Sequence, residues 1–209
     1  MVVSGAQGAG ITGNAGKARV YGVEFDADLK LDKFTISTSG AYNDAALDGD
    51  FCNFAFTPAT SSISQLSSCT LGATVPGSSP PTPQVAAADG TRLPRQPKFK
   101  GTTSVRYETE LGPYNAYIQG ASLYQTSATQ DLNVFNNNLL GNTSGFVTFD
   151  FSAGVKKDNW TADIFIQNAF DRRGQLTRNT FCSITFCSGS SRAFTTKPQF
   201  FGIRFGQKF

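Results

Sequence analysis

"KPQFFGIRFGQKF", residues 197 to 209, closes the chain, and its reading decides the fold. Every second residue from Phe201 gives Phe201, Ile203, Phe205 and Phe209, interrupted by Gln207, while the other parity holds Gly202, Arg204, Gly206 and Lys208. Successive side chains of a strand point to opposite faces, so this spelling predicts one apolar and one polar face. A sandwich core and a lipid bilayer would both accept that apolar face, and the rest of the chain has to discriminate between them.

Six further segments alternate in the same way. Residues 17 to 31, "KARVYGVEFDADLKL", set Tyr21, Val23, Phe25, Leu29 and Leu31 against Glu24, Asp26, Asp28 and Lys30. Residues 34 to 46 and 98 to 111 follow, the second with Lys100, Arg106, Glu108 and Glu110 on its polar parity. Residues 114 to 127, 145 to 157 and 160 to 170 complete the set. These segments run about 11 to 15 residues, whereas soluble strands usually run about 5 or 6 and a tilted bilayer-spanning strand needs about 9 to 11. A polar parity carrying Glu24, Asp26, Asp28, Arg106, Glu108 and Glu110 suits a watery lumen better than a dry core. The turns at 32 to 33, 112 to 113 and 156 to 159 are short, and the connections 47 to 97, 128 to 144 and 171 to 196 are long. This asymmetry is the pattern of an up-and-down transmembrane β-barrel, with short periplasmic turns and long extracellular loops. Residues 1 to 16 are Gly-rich and read as a flexible loop. Seven strands is an odd number, and bacterial barrels in one chain normally have an even count with both termini in the periplasm. The expectation is therefore an all-β, antiparallel barrel of which these 209 residues are the C-terminal portion, with at least one strand preceding them.

Composition excludes several function classes. The net charge of +3 is spread along the chain, without the clustered basic footprint that nucleic-acid binding needs. No apolar run approaches the roughly 18 to 20 residues of a membrane helix. The opening residues have neither the cationic start nor the apolar centre of a secretory signal, so the chain either stays inside the cell or lacks its true N-terminus. Cys52 and Cys69 share one long loop, and Cys182 and Cys187 share another. Four cysteines allow three connectivities; the local pairing, Cys52 to Cys69 and Cys182 to Cys187, needs no contact between distant loops. Disulfides there imply an oxidising side of the membrane.

Four stretches, in order, resemble the TonB-dependent outer-membrane receptors: "VYGVEFDADLKL", "RLPRQPKFKGTTSVRYE", "IQNAFDRRG" and "PQFFGIRFGQKF". The resemblance covers nearly the whole chain. It implies the outer membrane of a Gram-negative bacterium and active uptake of a scarce solute such as a ferric siderophore. It also implies coupling to the TonB complex through an N-terminal plug region that has no counterpart here. In that family the terminal aromatic, here Phe209, acts as an assembly signal for the outer-membrane barrel assembly machinery. The loop arginines Arg172, Arg173, Arg178 and Arg192 are candidates for an anionic ligand, or for lipopolysaccharide and other outer-membrane lipid.

Catalytic chemistry finds little footing. With no His, Ser or Cys nucleophiles lack their commonest base. "GAGITG", residues 8 to 13, matches a dinucleotide fingerprint but follows no strand-to-helix context. Glu108 and Glu110 stand beside Lys100 and Arg106 and read as a charge-paired wall rather than a glycosidase pair. Asp48 and Asp50 are too sparse for a calcium loop, and neither a metal nor a cofactor is expected. The competing reading is a secreted β-sandwich binding or adhesion module, in which the apolar faces would meet one another.

Overall fold

The structure, a computed structural model, describes residues 2–4, 10–12, 16–57, 62–79, 81–179 and 192–208. Its strands in chain order begin with β1 (Val2–Ser4), β2 (Gly10–Thr12), β3 (Ala18–Leu31), β4 (Phe34–Leu47) and β5 (Phe51–Cys52). Next come β6 (Phe54–Thr57), β7 (Ser62–Gln65), β8 (Val85–Ala87), β9 (Phe99–Leu111) and β10 (Tyr114–Gln125). After the helix α1 (Val134–Leu140) follow β11 (Phe146–Lys157), β12 (Trp160–Gln167), β13 (Gln175–Asn179), β14 (Arg192–Thr195) and β15 (Phe200–Gln207).

The seven long alternating segments form one antiparallel sheet in the order β15-β12-β11-β10-β9-β4-β3. Its register keeps the apolar parities in common rows. Ile118 pairs with Ala153, which pairs with Ile164, which pairs with Ile203. One strand out of step would carry its apolar set to the polar side, because the side-chain period is two. On the apolar face Phe201 is 78% and Ile203 81% exposed, so these side chains have no protein to pack against. The sandwich reading fails here: a single sheet leaves its apolar face outward. Among the described residues the outer strands β3 and β15 do not pair with each other, so the sheet is a curved wall and not a closed barrel.

The short turns fall where the alternation stops. Asp32 (φ 49) and Asp158 (φ 49) take the left-handed conformation that a tight reversal requires, and Gly112 (φ 59) does so without a Cβ to object. Two glycines inside strands make room instead for rings on neighbouring strands. A Cβ on Gly202 would stand 2.6 Å from Cζ of Phe165, and one on Gly40 2.6 Å from Cζ of Phe25.

Two expectations are corrected. The opening residues contain a two-stranded ladder, β1 with β2, and not only loop, consistent with the strand preference of Val2, Val3 and Ile11. The two closing strands are shorter than the alternation suggested, eight residues each. β12 stops at Gln167 because Asn168 (φ 47) turns the chain, and residues beyond it that keep the apolar period are already in that turn.

The long loops carry their own structure. β5 pairs with β8 and β6 with β7, and the buried cluster of Leu47, Phe51, Ala86, Ala87 and Leu132 joins the end of β4 to two of the loops. Cys52 and Cys69 form a disulfide with Cα atoms 5.5 Å apart. Closing about 16 residues, it contributes roughly 3 kcal/mol in the chain-entropy model. Cys182, Cys187 and Phe209 lie outside the described residues.

Candidate functional site: the polar face and the loop-capped mouth

β9 and β10 put Arg106 at the centre of the polar face. Its Nε donates to Glu108 Oε1 at 2.8 Å, its Nη1 donates to Gln119 Oε1 at 3.2 Å, and its guanidinium lies 3.6 Å from the centroid of the Tyr117 ring. The Tyr117 hydroxyl donates to Asp163 Oδ1 at 2.8 Å, passing over β11. It can cross because the residue between them in the register, paired with both, is Gly154. A Cβ there would stand 2.6 Å from the Tyr117 ring. Glu24, Asp26 and Asp28 share this face, opposite Ala41, Ser39 and Ser37, and are exposed; Glu110 is opposite Asn115. On this face Glu108 is engaged by Arg106, while Glu24, Asp26, Asp28 and Glu110 are exposed and take part in no ion pair among the described residues.

At the long-loop end, side chains bind the loops to each other. Gln130, 3% exposed, donates from Nε2 to the carbonyls of Ala128 (2.8 Å) and Thr129 (3.0 Å), and its Oε1 accepts the backbone N–H of Arg178 at 2.7 Å. Arg178 donates to the Leu140 carbonyl at 2.8 Å and to Gln175 Oε1 at 2.8 and 2.6 Å. The second and third loops are therefore one hydrogen-bonded unit. Asn133 caps α1 by accepting from the N–H groups of Phe135 and Asn136. Beside it, Asp131 accepts from Asn133 N at 2.8 Å, yet burial pushes its carboxyl above the ordinary carboxylate range.

The stretch "NAFDRR" forms a knot at the root of the third loop. Asn168, 5% exposed, accepts the Arg172 N–H at 2.8 Å and donates to the carbonyls of Arg172 (3.1 Å) and Lys197 (2.8 Å). Asp171 accepts from Gln199 N at 3.0 Å and from Arg173 at 3.2 Å, and these donors hold its carboxyl below the usual range. The four candidate arginines thus separate. Arg178 is committed to the loop framework; Arg173 is exposed and paired with Asp171; Arg172 and Arg192 are exposed on the third loop.

Where the polar face meets the loops lies a cavity of about 320 Å³, lined by Asn43, Arg95, Gln96, Lys100, Gln125 and Leu176 among others. Its lining carries two cations and no carboxylate. Arg95 sits at φ 62, fixed by its N–H to the Thr129 carbonyl at 2.7 Å. Reading the sequence alone does not find Arg95 as a site residue, because it follows Pro94 inside a long connection whose path the alternation does not constrain. Gln130 and Gly154 carry no local signal either, while Asn168 lies inside a motif that marks the turn.

A wall of long antiparallel strands, apolar outside and polar inside, with short turns at one end and interlocked loops at the other, defines a segment of an outer-membrane β-barrel. Residues 2–169 match the family described as TonB dependent receptor-like, beta-barrel, and the chain belongs to that family. Two solved structures share its fold. The siderophore receptor PiuA from Acinetobacter baumannii has 16% identity and a TM-score of 0.59, over 90% of this chain and 21% of that one. The ferric yersiniabactin uptake receptor FyuA from Yersinia pestis has 18% identity and a TM-score of 0.63, over 94% of this chain and 24% of that one. The chain spans about a fifth to a quarter of the length of these receptors. A comparison with curated proteins finds no match. Its place is the outer membrane of a Gram-negative bacterium.

Proposed function

We propose that the chain supplies barrel wall and ligand-contacting extracellular loops to a TonB-dependent receptor that takes up a scarce anionic solute such as a ferric siderophore. The observation that carries this reading is the cationic cavity of Arg95 and Lys100, placed where the loops close over the lumen. Glu24, Asp26, Asp28, Arg106, Glu108 and Glu110 line the lumen below it. Arg172, Arg173 and Arg192 extend the positive surface outward, where lipopolysaccharide is the competing partner. Arg178 contributes by holding the loops in register. Coupling to the TonB complex would run through a plug region outside this chain, and Phe209 would serve the barrel assembly machinery as an insertion signal. The role is transport, not catalysis.

The test uses the full-length receptor in a strain lacking its own siderophore uptake, with iron-55 supplied as ferric citrate, a ferric hydroxamate and a ferric catecholate. Arg95→Ala with Lys100→Ala should weaken binding of the chelate that supports uptake by about 100-fold, from two charge-assisted contacts of about 1.5 kcal/mol each. Arg172→Ala with Arg173→Ala should do so less. Uptake of no chelate by the wild type, or unchanged affinity in the Arg95 and Lys100 double variant, would overturn the reading.

A further inference from the structure

We propose that the apolar face carries a site for one anionic phospholipid of the periplasmic leaflet, with its headgroup at Lys157 and an acyl chain in the furrow above. Among the described residues the outward parity of the sheet is Tyr, Trp, Phe, Ile, Val, Leu, Ala, Gly and Thr through its short-turn half, with Gln207 of β15 at its end and one charged residue, Lys157 of β11. Two other charges on that parity, Arg19 and Asp44, stand at the long-loop end, where Asp44 pairs with Lys98 at 3.8 Å. Lys157 takes part in none of the ion pairs among the described residues. Its Nζ lies 5.5 Å from the centroid of the Tyr114 ring, and Tyr114 leads to Trp160 (5.9 Å) and Phe205 (6.3 Å beyond). An ammonium held over an aromatic row at the membrane boundary is placed to meet a phosphate.

The furrow supplies the second half of the site. About 740 Å³ in volume, it is walled by Phe34, Tyr107, Ile118, Phe151, Ile164 and Phe201, over a floor that includes Gly120 and Ala153. Ala153 lies four residues from Lys157 along β11, about 13 Å at strand rise, while half the hydrocarbon core is about 15 Å. One lipid therefore reaches both. The short turns face the periplasm, which selects a phospholipid over lipopolysaccharide. A second copy of the chain is the poorer occupant: among the described residues this half of the face carries no carboxylate side chain, so a two-fold contact would bury each Lys157 without a side-chain counter-charge.

The experiment is native mass spectrometry of the delipidated full-length receptor, titrated in turn with phosphatidylglycerol, phosphatidylcholine and lipopolysaccharide. The wild type should retain one phosphatidylglycerol in preference to phosphatidylcholine. Lys157→Gln should lower that retention about fivefold, the scale of one lysine at an anionic membrane surface, Lys157→Arg should keep it, and Ala153→Phe should lower retention of both phospholipids by filling the furrow. Equal retention of the two phospholipids by the wild type, no loss in Lys157→Gln, selective retention of lipopolysaccharide alone, or a doubled protein mass with no lipid would each overturn the proposal. The site is remote from the loops, so its failure would leave the uptake reading standing, and loss of uptake would leave this site untouched.

Discussion

Replacing Asn168 by Ala should unlock the root of the third loop. The side chain is 5% exposed and makes three hydrogen bonds, one accepted from Arg172 N and two donated to the Arg172 and Lys197 carbonyls. Its removal takes the side-chain partner from the Arg172 N–H and the Lys197 carbonyl, while the Arg172 carbonyl keeps the Thr196 hydroxyl, at about 1 to 3 kcal/mol for each group that water cannot reach. The residue also sits at φ 47, where Asn is tolerated and Ala costs about 1 kcal/mol. Counting one stranded group with the backbone cost, the total is about 2 to 4 kcal/mol. Asn168→Gly restores the backbone freedom and loses only the bonds, and Asn168→Asp keeps the acceptor and loses the donors. The expected order of damage is therefore Ala above Gly and Asp. Urea unfolding of the full-length receptor refolded into lipid vesicles, followed by gel mobility with and without heating, measures it. If Asn168→Ala unfolds within about 0.5 kcal/mol of the wild type, the knot does not hold the loop and the reasoning is refuted.

Other outcomes follow from the same geometry. Cys52→Ala with Cys69→Ala should expose residues 53 to 68 to limited proteolysis at a protease concentration that spares the wild type, reflecting the loss of about 3 kcal/mol of constraint. Gly202→Val should destabilise the sheet by about 1 to 3 kcal/mol through collision with Phe165, and adding Phe165→Ala should recover part of that in the same urea assay. Burial raises the Asp131 carboxyl above its unfolded value, so its ionised form costs folding free energy at pH above the folded value. That cost is relieved as the pH falls through the raised value towards about 4, where the unfolded carboxyl also takes up its proton. Hydrogen-exchange protection of residues 128 to 144 should increase over that window, and Asp131→Asn should remove the dependence.

The strand parities, the short turns and the sidedness of the loops were legible because each rests on local chemistry. A period of two is written residue by residue, and Phe201, Ile203 and Phe205 announce an apolar face without knowledge of any partner. The Cys52 to Cys69 bridge was readable as one of three pairings because both residues share a loop. The span of β12 was overestimated because Phe170 keeps the parity of Ile164 and Ile166 after Asn168 has turned the backbone. Tertiary structure alone decided which polar groups meet. Arg178 meets Gln130 across 48 residues, and Tyr117 meets Asp163 across 46, over the gap left by Gly154. No local preference encodes those meetings, because they depend on how the sheet register and the loop paths bring distant segments to one height. The same is true of the cavity at Arg95 and Lys100: the sequence spelled the wall, and its placement against the loops made the wall a candidate binding site.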